Sequence, residues 1–217
     1  MAAAPHPELR ELLFADLPPI RAREVFLRGG PATSAIVELA DAAIAADAAT
    51  ASAALARIRD GDHESRLRLQ AWSLARAAGV TPSEGEASEV LGVVVDMGLE
   101  EGLDTLAAFA DGSARYLNQS GSAIVWEVPD IAVGERARAL LAAAEAVIPV
   151  TGPLEGPRPA PPGEGGAMIS VLTPGGLHLG AGSIHALSRD SRGGPVVEAG
   201  AALMGLLVER AMQARAT

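Results

Sequence analysis

Residues 90–128, VLGVVVDMGLEEGLDTLAAFADGSARYLNQSGSAIVWEV, carry the strand and turn chemistry that decides the fold. Asp111-Gly112 separates two apolar runs, and a two-residue type I′ turn there needs positive φ at both positions, which Asp and Gly tolerate best. That turn sets Ala110 opposite Ser113, Ala108 opposite Arg115 and Leu106 opposite Leu117. A second turn at Ser120-Gly121 then sets Leu117 opposite Ile124 and Arg115 opposite Trp126, so the guanidinium and indole are expected to stack across strands. One face would show Leu106, Ala108, Leu117, Ile124 and Trp126, the other Leu103, Ala107, Phe109, Tyr116 and Val125. Both faces are largely apolar, and a sheet of that kind must be covered on both sides, by flanking helices or by a dimer surface.

Upstream, the apolar period is helical. PELRELLF (residues 7–14) reads as a short helix with Leu9, Leu12 and Leu13 on one side, and Gly29, Gly30 and Pro31 punctuate the chain further on. Thr33 or Ser34 caps a run bearing Ile36, Leu39, Ala40, Ala43 and Ile44, with Thr50 placed to cap a second piece ending at Asp60-Gly61. Asp62, or less strongly Ser65, opens a third helix whose stripe is Leu67, Ala71, Leu74 and Ala78 and whose closing glycine is Gly79. Arg57, Arg59, Arg66, Arg68 and Arg76 read as a solvated face paired with neighbouring acids. Residues 81–88 are a polar hinge at which the period changes.

Downstream of the meander, Pro129 breaks the strand and residues 133–148 read as a helix with Ala137, Leu140, Leu141 and Ala144 inward. Residues 149–166 hold six Pro and five Gly, the composition of an extended connection. Residues 168–172 and 177–181 form a second hairpin around Thr173-Pro174-Gly175-Gly176, residues 183–188 a helical turn, and Pro195 opens a last helix. Its apolar stripe is read as Val197, Ala201, Met204, Leu207, Val208 and Met212, which needs a wide partner surface.

Strands follow strands instead of alternating with helices, which predicts an α+β fold: an antiparallel sheet, made of a meander of three or four strands plus a later hairpin, packed with helices and preceded by an all-helical segment. The expected division is a helical segment over residues 1–80 and an α+β domain over residues 88–217. The order meander, helix, hairpin, helix is similar to that of small scaffolding modules of the profilin and roadblock kind, a likeness of element order alone.

Composition narrows the chemistry. There is no Cys, hence no disulfide, thiolate nucleophile or Cys-ligated metal, and all 17 basic residues are Arg, which removes every lysine-dependent mechanism. The Arg and Ala bias fits a GC-rich bacterial genome. A net charge of −10 disfavours nucleic acid and anionic membrane as partners. The charge is uneven, net −1 over residues 1–80 and net −9 over residues 81–217. MAAAPHPELRELL lacks a positive n-region and an apolar h-region, so no secretory signal is expected and the cytoplasm is the expected location.

Catalytic signatures are sparse. His6, His63, His178 and His185 show no ligand spacing; His178 on a strand and His185 just beyond it, with Glu127, are the catalytic candidates, and Arg115, Tyr116 and Trp126 the binding candidates on the sheet faces. Asp96, Glu100, Glu101 and Asp104 do not follow the alternation of a calcium loop, so no metal and no cofactor is expected. The sequence therefore favours a cytoplasmic, non-enzymatic protein–protein interaction or scaffolding module, bound to another protein or to itself. The alternatives are a small-molecule enzyme or binder using Arg115, Glu127, His178 and His185, and an acidic inhibitor or immunity-type protein.

Overall fold

The computed structural model describes residues 7–29, 33–127 and 130–216; the expectations at His6, Gly30, Pro31 and Pro129 fall outside them. The chain divides into two compact units, residues 11–89 with 173–176, and residues 1–10 with 90–172 and 177–217.

The first unit is helical. Its elements are the end of α1 (Pro7–Leu13), α2 (Pro19–Phe26), α3 (Ser34–Ala45), α4 (Ala48–Asp60), α5 (Ser65–Ala77) and the single turn α6 (Glu84–Ala87). Its core is small-residue packing, Ala40, Ala51, Ala54 and Ala75 against Ile36, Leu39, Ile58, Leu74 and Trp72. Close helix packing follows from alanine at the contacts. Three local expectations change. α4 is capped by Asp47, whose carboxylate accepts the N–H groups of Ala49 and Thr50. α5 starts at Ser65, beyond Asp62, with Glu64 at the cap position and no side-chain cap bond. Along α1 the buried positions are Arg10 and Leu13, while Leu9 and Leu12 are exposed. Gly79 does close α5, at φ +93°, where a side chain would be strained. The arginines pair as expected, Arg57 with Glu38, Arg59 with Glu86, Arg66 with Glu64 and Arg68 with Glu89. Arg76 is the exception: it donates to the Pro174 carbonyl, and burial, opposed by the charge of Asp16, lowers its pKa.

The second unit is an antiparallel α+β fold. β1 (Gly92–Leu99), β2 (Gly102–Phe109), β3 (Ala114–Leu117) and β4 (Ala123–Trp126) form the meander, α7 (Ile131–Ala144) continues into a 3-10 segment (Glu145–Val150), and β5 (Gly166–Thr173) and β6 (Gly176–Ser183) form the hairpin. α8 (Ile184–Arg189) and α9 (Gly193–Ala216) end the chain. The six strands lie in the order β4-β3-β2-β1-β5-β6. The Pro/Gly-rich connection does more than span: Pro153 bridges His178 on the β6 edge, Leu154 donates to the Leu177 carbonyl, and the Gly163 carbonyl lies where a Cβ on Gly98 would sit, only 1.9 Å away.

The meander register differs from expectation by one residue at both turns. Leu106 pairs with Tyr116, Ala107 with Arg115 and Ala108 with Ala114, while Arg115 pairs with Val125 and Ala114 with Trp126. The cause is loop length. Gly112 N–H donates to the Phe109 carbonyl at 2.9 Å and Phe109 N–H to the Ser113 carbonyl at 3.0 Å, so the loop is Ala110-Asp111-Gly112, with only Gly112 at positive φ (+85°). The second turn repeats it, Gly121 at φ +83° and Asn118 N–H on the Ser122 carbonyl. A type I turn followed by a left-handed glycine is the three-residue alternative to the type I′ hairpin, and it needs one positive φ where type I′ needs two. Arg115 and Trp126 consequently lie on opposite faces and do not stack. Arg59 lies over the Trp72 ring instead, 5.9 Å from its centroid.

With this register Val93, Val95, Leu106, Ala108, Ala114, Tyr116, Ile169 and Val171 share the face that packs on α7 and α9. The opposite face carries Asp96, Thr105, Ala107, Phe109, Arg115, Leu117, Ser170 and Leu172, all buried. The chain thus buries both faces of the four inner strands; exposure returns only at the edge strands β4 and β6.

Candidate functional site

The sequence candidates do not gather. Arg115 is buried, forms an ion pair with Glu127 and donates to the Ala114 carbonyl. His178 lies on β6, four inter-strand steps from β3, or about 19 Å at ~4.8 Å per step. It is buried against Thr151, its Nδ1 2.9 Å from the Thr151 carbonyl oxygen. His185 is exposed on α8. Tyr116 faces the α7/α9 side, where its hydroxyl donates to Asp104 at 2.7 Å; burial, then the bond to Asp104 and its charge, push the phenol well above its ordinary range. Trp126 lies half-buried on the same face, and its indole N–H has no hydrogen-bond partner among the described residues. Arg115 with Glu127 is therefore one cluster, Tyr116 with Asp104 a second, His178 with Thr151 a third.

The acidic stretch is split likewise. Asp96 pairs with Thr105 on one face and Asp104 with Met97 on the other, so their carboxylates cannot share a cation. Asp96 accepts from the Nε and Nη2 of Arg10, one on each carboxylate oxygen, at 3.2 and 2.5 Å, and accepts the Thr105 hydroxyl at 2.6 Å. No signal in the sequence announces this pair, whose members stand 86 residues apart. Among the described residues no cluster of three or more His, Asp and Glu is placed to hold a metal. A cleft of about 400 Å³ in the helical unit is lined by Glu38, Asp41 and Asp47, but Arg57, Arg23 and the N-terminus of α4 already answer these charges. The apolar crevice between α9 and the sheet, at Val95, Leu106, Val197 and Gly200, holds about 10 Å³, room for no more than a water.

The unusual surface is on α9. Its buried seam is Val196, Gly200, Leu203 and Leu207, one step from the stripe read in the sequence; Val197 and Met204 are half-buried, while Ala201, Val208 and Met212 face outward. The discrepancy has a simple origin: the helix is apolar around most of its circumference, so two stripes compete for the same periodicity. The outward one is Ala201, Gly205, Val208 and Met212, with Val208 37% and Met212 67% exposed. α7, packed beside α9 on the same sheet face, presents Glu135, Arg136 and Arg138 to solvent, the usual coat of a surface helix. At one end of this layer Asp130 caps α7 and accepts from Arg210 of α9 at 3.1 Å; the Val133 N–H, with Arg210, holds its pKa below the ordinary carboxylate value. Ile131, 82% exposed, extends the apolar surface there.

Among the described residues no helix is long and apolar enough to cross a membrane. Comparison with protein-family models, with curated proteins and with solved structures finds no match, so what this chain does must be argued from the surface it presents.

Proposed function

We propose that the chain is a non-enzymatic protein–protein interaction module that docks through the outer face of α9. The observation that carries this reading is the outward stripe Ala201, Gly205, Val208 and Met212 on a helix whose inward seam is already satisfied. The sequence offered the two-faced meander and the C-terminal helix as docking surfaces; the inner strands are buried on both faces, which leaves the outer face of α9 as the candidate of the two. The dispersal of Arg115, Glu127, His178 and His185 supports a binding role over a catalytic one, because acid–base or nucleophilic chemistry needs such groups within hydrogen-bond reach.

Light scattering on the purified protein should give a mass above 22.0 kDa, or affinity capture should recover a partner in stoichiometric amount. Val208→Glu should abolish whichever is seen, while Ile44→Glu, at a position 53% exposed on α3, should leave it intact. A monomer without a partner, or an association indifferent to Val208→Glu, would sink the proposal.

A further inference from the structure

We draw no further inference here: the strongest candidate, the outward apolar face of α9 at Ala201, Gly205, Val208 and Met212, is the surface on which the proposed function already rests, and nothing in the structure shows what covers it.

Discussion

Asp96 shows how one residue can hold a sheet face that the sequence alone describes as apolar. It is wholly buried on an inner strand, and the Arg10 guanidinium and Thr105 hydroxyl are its partners. A buried carboxylate stripped of its cation keeps its desolvation cost and loses the attraction that offset it. Arg10→Met should therefore destabilise the protein by about 3–5 kcal/mol in urea unfolding, and Arg10→Met with Asp96→Leu should recover most of that loss. A cost under about 1 kcal/mol for the single change would show the pair to be solvated. Tyr116 offers a second test, for it is the sole tyrosine of the chain. Its phenol is held neutral by burial and by Asp104, so tyrosinate absorbance should rise only well above the ordinary pH, and Asp104→Asn should bring the titration back toward it. The folded pKa is raised above the unfolded one, so this contribution to stability is complete below about pH 10 and is lost as pH rises further.

At the level of elements, the sequence was most informative where backbone chemistry is local. The two turn glycines, the antiparallel meander, the hairpin around Pro174-Gly175 and the closing glycine of α5 all follow from residues adjacent in the chain. Register did not, because Asp-Gly and Ser-Gly suit both a two-residue and a three-residue loop, and a difference of one residue exchanges the faces of everything beyond it. That exchange is why Arg115 meets Glu127 and not Trp126. The inward face of α9 was ambiguous for the same kind of reason, two apolar stripes on one helix. Val196, Gly200, Leu203 and Leu207 recur at the same intervals of four and three as Ala201, Gly205, Val208 and Met212, so spacing alone does not choose the inward stripe. The loop assignment makes its own prediction. With Gly112 and Gly121 at positive φ, Gly112→Ala and Gly121→Ala should each cost about 1–2 kcal/mol, whereas Asp111→Ala, at negative φ, should bring no backbone strain with the loss of the bond from the Ser113 N–H and should cost less. A penalty for Asp111→Ala as large as that for Gly112→Ala would favour the two-residue turn.

For the whole molecule the consequence of a self-docking α9 is thermodynamic. If folded chains associate and unfolded chains do not, association adds to stability by mass action, and the thermal midpoint becomes a function of protein concentration. Each tenfold increase above the dissociation constant adds about 0.7 kcal/mol per chain, half of the ~1.4 kcal/mol that a factor of ten represents, because two chains share each contact. For a protein of this size that is roughly 2 °C per decade, so scans a hundredfold apart in concentration should differ by about 3–6 °C. Val208→Glu should flatten the dependence, and Ile44→Glu should leave it intact. The neighbouring helix α7 provides the contrast: Ala139→Glu, on its already charged outer face, should leave both the midpoint and its concentration dependence unchanged. A midpoint independent of concentration over that range, in protein that scatters light as a monomer, would leave the apolar stripe of α9 without a second copy to cover it.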